Sequence, residues 1–143
     1  MEYQFLKKRI KINEGFSYKP YNDQLGNLTI GYGHLIKKSE KKIFSKKLSR
    51  PYLNQVFEDE FKKAVKDFQK HLNKPKLKSR KSKELFLEMI FQIGIKGVLE
   101  FKKMIKQIEK KNKYLAALEM MDSLWYLQTP KRVENIVKNF LYK

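Results

Sequence analysis

Residues 14–34 read Glu14-Gly15-Phe16-Ser17-Tyr18-Lys19-Pro20-Tyr21-Asn22-Asp23-Gln24-Leu25-Gly26-Asn27-Leu28-Thr29-Ile30-Gly31-Tyr32-Gly33-His34. The pattern is strand, turn, strand. Tyr18 and Tyr21 precede a polar turn through Asn22, Asp23 and Gly26, and Leu28 to Tyr32 then alternates as a strand does. Two carboxylates, Glu14 and Asp23, stand nine positions apart around this hairpin, and the first 36 residues hold only one other acid, Glu2.

On the amino-terminal side, residues 4–13 carry Leu6 and Ile10 on one face and Lys7, Lys8, Arg9 and Lys11 around the other, which predicts a short helix stopped by Gly15. Glu14 therefore falls at a helix end. Beyond the hairpin, residues 37–47 are charge-dense and aperiodic, a loop with room for one helical turn. Ser49 reads as a helix cap. Leu53, Val56, Phe57, Phe61, Ala64, Val65, Phe68 and Leu72 follow at helical spacing until Asn73-Lys74-Pro75, predicting a long helix over 50–72.

Everything after that reads as helix. Leu85, Phe86, Met89, Ile90 and Ile93 form one stripe, ended by Gly94, and Val98, Phe101, Met104, Ile105 and Ile108 form another. Residues 114–121 are nearly all apolar, which predicts a buried helix. Thr129-Pro130 reads as a cap and first helical residue, opening a final helix with Val133, Ile136, Val137, Phe140 and Leu141 inward. Such Met and aromatic stripes at helical spacing are core rather than cofactor sites.

The chain has 143 residues, the length of one domain. Hydrophobic residues make up 41%, enough for a packed core despite the high charge. With no cysteine there is neither a disulfide framework nor a thiolate metal site, and two histidines are too few for a histidine-based zinc centre, so no metal or cofactor is expected. The first ten residues hold no secretory signal, and no stretch approaches the ~18 apolar residues of a membrane span. Synthesis in the cytoplasm, without stable membrane insertion, is the expectation. The net charge of +18 attracts anionic polymers over long range; nucleic acid, an acidic membrane and a bacterial wall all fit it.

The chemistry best matched to the hairpin is glycoside hydrolysis. One carboxylic acid protonates the leaving oxygen, and a second group stabilises the sugar cation or activates water. Glu14, at a helix end beside Phe16 and Tyr18, suits the acid, and Asp23, hydrated in a turn, suits its ionised partner. A hydroxyl at Thr29 could hold a water near Asp23, or simply serve a strand. His34 could be a base or a hydrogen-bonded structural residue. Gly31-Tyr32-Gly33 lacks the third glycine of a dinucleotide fingerprint, since position 36 is Ile36, and no nucleophile elbow of the serine hydrolases occurs.

Taken together, Glu14-Gly15, Tyr21-Asn22-Asp23, Gly26 and Thr29-Ile30-Gly31-Tyr32-Gly33-His34 closely resemble the phage-type lysozymes, the muramidase endolysins of the T-even phages and their relatives. Met89-Ile90-Phe91-Gln92-Ile93-Gly94, then Gly97-Val98, then Ser123 to Arg132 match the carboxy-terminal part of that family in order and spacing. The resemblance implies a mostly helical α+β, lysozyme-like fold. It has a small amino-terminal lobe with a β-hairpin, over about 13–60, and a connecting helix over about 50–72. An all-helical carboxy-terminal lobe over about 72–143 takes in the first helix, with the substrate cleft between the lobes. It implies Glu14 as general acid, Asp23 as second carboxylate and Thr29 as the residue placing the attacking water. His34 matches a structural histidine whose acidic partner falls at Glu60, and Arg132 an arginine that approaches the catalytic glutamate. Leu35, Phe91 and Gln92 match sugar-contacting positions.

Some features depart from that pattern. The segment between His34 and the long helix is shorter, and Met104 and Glu119 replace a serine and an asparagine that touch substrate in close relatives. The function so implied is cleavage of the β-1,4 bond between N-acetylmuramic acid and N-acetylglucosamine in peptidoglycan. The enzyme would be a monomeric endolysin waiting in the host cytoplasm for a holin-type membrane pore, with no nucleic-acid partner. The rival readings are a non-enzymatic cationic wall- or membrane-binding protein on a lysozyme fold, a nucleic-acid binder resting on charge alone, and a hydrolase of chitin.

Overall fold

A computed structural model describes residues 3–142. Met1, Glu2 (counted above among the first acids) and Lys143 lie outside the described residues. The architecture is α+β, mostly helical and lysozyme-like: α1 (Gln4–Glu14), β1 (Ser17–Asn22), β2 (Leu28–Gly31), β3 (His34–Leu35), α2 (Arg50–His71), α3 (Arg80–Leu99), α4 (Lys102–Glu109), α5 (Lys113–Met121), α6 (Leu124–Gln128) and α7 (Pro130–Leu141). Short 3-10 turns occur at Lys38–Glu40 and Pro75–Leu77. The chain forms two compact units that divide at Lys62–Lys63, inside α2.

In the first unit the strands make one antiparallel sheet in the order β1-β2-β3. Tyr21 pairs with Thr29 and Asn22 with Leu28, while Thr29 pairs with Leu35 and Ile30 with His34. The sequence pattern foresees the hairpin but not β3, two residues that become strand only by pairing with β2. Successive residues of β2 point to opposite faces, and Thr29 and Ile30 are both buried, so this strand is covered on both sides. Ile30 meets Phe44 and Leu53, with Phe16, Ile36, Leu48 and Val56 around them. This small core holds the sheet against the start of α2. Ser49 caps that helix, its hydroxyl accepting the Tyr52 N–H at 3.3 Å.

Within the first unit, α1 packs on α2 and the hairpin. Lys7 Nζ meets Glu58 Oε1 at 2.8 Å, Tyr3 packs on Phe61, and Lys11 lies over the rings of Tyr32 and Phe57. Leu6 and Ile10 are fully buried, as their spacing predicts.

In the second unit the buried stripe of α3 runs from Leu85 to Ile90. The regular helix ends at Gly94, as its sequence position predicts. The backbone leaves helical geometry there, at φ 78° and ψ 161°, and a second helical stretch runs on to Leu99. That corner of backbone space belongs almost solely to glycine. α5 departs from expectation: Ala116, Ala117 and Met120 are buried, whereas Tyr114, Leu115 and Leu118 are exposed, because only one side of the helix finds a partner. Thr129 also differs. Its hydroxyl donates back to the Trp125 carbonyl at 3.1 Å and leaves the first turn of α7 without a side-chain cap. Val133, Ile136 and Phe140 of α7 are buried, while Val137 and Leu141 are partly covered. No helix among the described residues is long and apolar enough to cross a membrane.

A Cβ at Gly94 would meet nothing within 4 Å, so its cost is purely conformational. Gly94→Ala should therefore destabilise the protein by about 1–3 kcal/mol, read as a lowered midpoint in urea unfolding.

Candidate active site

Glu14 is the last residue of α1 and is half-buried. Its carboxyl packs where Gly33 has no side chain. Gly33 lies in the left-handed region at φ 76°, and a Cβ there would run into Glu14 Oε1, with Glu14 Cδ at 2.8 Å and Cβ at 3.3 Å. The carboxyl thus rests directly on the backbone that joins β2 to β3.

Asp23 sits in the turn between β1 and β2. Its Oδ1 accepts the N–H of Leu25 at 2.9 Å and of Asn27 at 2.8 Å, which orients the carboxylate and leaves Oδ2 without a hydrogen bond among the described residues. The Asn27 carbonyl in turn accepts the Asp23 N–H at 2.9 Å and the Thr29 hydroxyl at 2.8 Å. Asn27 therefore ties Asp23 and Thr29 into one rigid group, a role its place in the sequence does not announce. Thr29 is 2% exposed. Since its hydroxyl proton is committed to Asn27, its oxygen can only accept from whatever approaches next.

Tyr21, opposite Thr29 in the sheet, was legible in the hairpin but not as a site residue. Burial, then the charges of Glu14 and Asp23, push its phenol above the ordinary tyrosine range. Both carboxylates bear on this one hydroxyl, which stays protonated.

His34 is 8% exposed and lies between two carboxylates, with Nδ1 at 3.0 Å from Glu60 Oε2 and Nε2 at 3.1 Å from Glu40 Oε1. The Glu60 contact matches the partner implied by the resemblance. Glu40 is an addition from the shortened segment, and it also accepts the Lys37 N–H at 3.0 Å. Burial works against the charged ring, but the hydrogen bond and charge of Glu60, with those of Glu40, outweigh it and raise the imidazole above its ordinary value. Leu35, on β3, is exposed.

The remaining sequence-predicted residues belong to the second unit. Phe91 and Gln92 are half-buried on α3 just before the kink. Gln92 Nε2 donates to Thr129 Oγ1 at 3.4 Å, while its Oε1 is buried with no partner among the described residues. A buried acceptor of this kind is one that a ligand's N–H or O–H would satisfy. Arg132 is half-buried on α7. Met104 is wholly buried and fills the core, so it offers no surface in place of the serine of relatives; Glu119 is partly exposed. Glu88, a carboxylate 1% exposed on α3, was not singled out by sequence pattern.

Comparison with known proteins shows the family. A family model described as phage lysozyme matches residues 11–139. A probable T4-type lysozyme 2 of Dictyostelium discoideum is 31% identical over 94% of this chain and 92% of its own length. A probable T4-type lysozyme 1 of the same organism is 30% identical over 92% and 91%. The pre-baseplate central spike protein Gp5 of Enterobacteria phage T4 is 28% identical over 92% of this chain, which spans 26% of that longer protein. The chain belongs to the phage lysozyme family. At that level it is a lysozyme-type glycosidase, in a family of peptidoglycan-hydrolysing enzymes.

Two outcomes follow from the site. Gly33→Ala should lower activity about 100-fold, the scale of an ångström's displacement of a catalytic group, with a native circular dichroism spectrum retained. For His34, a raised folded value means that its stabilisation is complete below the unfolded value near 6.5 and is lost as pH rises through the folded one. The stability difference between wild type and His34→Gln should therefore be largest in mild acid and shrink on going alkaline, as urea midpoints across that range will show.

Proposed function

We propose that this protein is a muramidase, hydrolysing the β-1,4 bond between N-acetylmuramic acid and N-acetylglucosamine in peptidoglycan. The observation that carries the proposal is the pairing of two differently held carboxyls. Glu14 lies against Gly33, and Asp23 is locked with Thr29 through Asn27. The carbonyl end of a helix disfavours added negative charge, which suits an acid that must bring its proton to the reaction.

In this mechanism Glu14 gives its proton to the glycosidic oxygen as the bond to the anomeric carbon breaks. Water attacks that carbon from the opposite face, held by Asp23 Oδ2 and by the lone pairs of Thr29 Oγ1, and it releases its proton to Asp23. Because Thr29 already donates to Asn27, the water must donate to Thr29, which directs a water lone pair towards the sugar. The product has inverted configuration, and the mechanism calls for carboxyl groups roughly 6.5–9.5 Å apart. Leu35, Phe91 and Gln92 contact the sugar chain, with the unpartnered Gln92 Oε1 accepting from an N-acetyl N–H. Biologically, the enzyme acts as an endolysin. It is a monomer made in the host cytoplasm that reaches the wall once a holin-type pore opens the membrane, and the cell lyses.

The test is digestion of purified peptidoglycan by wild type and Glu14→Gln, with fragments read by mass spectrometry. Wild type should release fragments ending in reducing muramic acid, and Glu14→Gln should be slower by about 10²–10⁴-fold. Equal rates would remove Glu14 from the mechanism. Binding without cleavage by either would make the protein a wall binder on a lysozyme fold.

A further inference from the structure

Within the second unit, a cavity of about 980 Å³ opens where the Pro75–Leu77 turn, the start of α3, the end of α4 and the end of α7 meet. Its edge is set by Lys76, Lys78 and Lys111, its floor by Ile108 and Phe140, and among the described residues no aspartate or glutamate lines it. The surrounding sequence is equally one-sided, for residues 74–83 hold Lys74, Lys76, Lys78, Arg80, Lys81 and Lys83 with no acid.

Two further lysines of the cavity are already committed. Lys81 Nζ donates to the carbonyls of Asn139 and Tyr142, at 2.6 and 2.5 Å, and Lys113 Nζ to that of Leu141 at 3.3 Å. They neutralise the carbonyl end of α7 and fix the wall of the cavity. The three edge lysines differ, since Lys76, Lys78 and Lys111 form no ion pair among the described residues. Lys111 is moreover held at φ 63°, where glycine is the usual occupant, so its backbone is fixed beside the cavity. Ser79 caps α3 at the same edge, its hydroxyl accepting the Ser82 N–H at 3.2 Å, and the positive end of that helix adds to the field.

We propose that this cavity is a second binding site, for a phosphodiester-linked polyol polymer of the anionic kind that accompanies peptidoglycan in bacterial walls. The space is far larger than one phosphate, and unpaired cations stand at several points around it, so the complementary ligand carries repeated negative charges. The apolar floor suits the carbon segments between phosphates better than a ligand that is polar throughout. Lying wholly in the second unit and read by binding rather than hydrolysis, this site can fail while the muramidase mechanism stands.

The experiment is titration calorimetry of the full chain with poly(glycerol phosphate) across a range of salt. It compares wild type with Lys76→Gln/Lys78→Gln/Lys111→Gln and with a control of equal charge loss, Lys62→Gln/Lys66→Gln/Lys70→Gln on exposed positions of α2. The cavity variant should bind at least about tenfold more weakly, with a shallower salt dependence, and the control should change by less than about twofold. Peptidoglycan stripped of such polymers should be digested equally by all three. Equal loss in both variants, or no binding by wild type, would overturn the site. So would tighter binding of acidic phospholipid vesicles or of single-stranded DNA through the same three lysines, which would name a different occupant.

Discussion

A buried imidazole between two carboxylates joins the parts of the first unit. His34 closes β3, Glu60 stands on α2, and Glu40 ends the 3-10 turn. Charged groups out of water are costly unless each finds a partner, and losing one partner strands the others. The contact therefore does more to specify a single arrangement than to add raw stability. β3 pairs with β2, so the position of His34 also fixes the strand carrying Thr29 and the turn carrying Asp23.

The geometry of the candidate site rests on backbone as much as on side chains. The backbone of one residue, Asn27, orients a carboxylate with its N–H and a hydroxyl with its carbonyl. A missing Cβ at Gly33 seats the glutamate. Rigid elements of this kind preorganise a site without motion at the moment of reaction. They also explain how the end of α1 and one short hairpin hold Glu14, Asp23 and Thr29 in different chemical settings.

Much of this was legible beforehand, for identifiable reasons. The burial of Leu53, Phe57, Phe61, Ala64, Phe68 and Leu72 follows directly from their helical spacing, and Ser49 and Pro75 bracket the helix by local chemistry. The carboxylates stood out because acids are scarce in their region. What stayed hidden depended on three-dimensional partners. An apolar run does not reveal how much of it will be covered, which is why α5 leaves Tyr114, Leu115 and Leu118 in solvent. Thr129 had two acceptable hydrogen-bonding choices, and the pattern cannot say which wins. Asn27 acts through main-chain atoms, which side-chain motifs do not encode, and Glu40 reaches His34 only because the loop between them folds back.

The uneven spread of charge carries a consequence for how the molecule answers to ions. From Lys63 onward the chain has 20 basic against 8 acidic residues, compared with 13 against 7 before it. Such a unit repels itself, and dissolved ions relieve that repulsion as they weaken attraction to any polyanion. Rising ionic strength thus pulls two properties in opposite directions: the folded chain becomes sturdier while its grip on a charged matrix loosens. In a dilute medium the protein is adhesive and comparatively fragile, and in brine it is robust and free to diffuse.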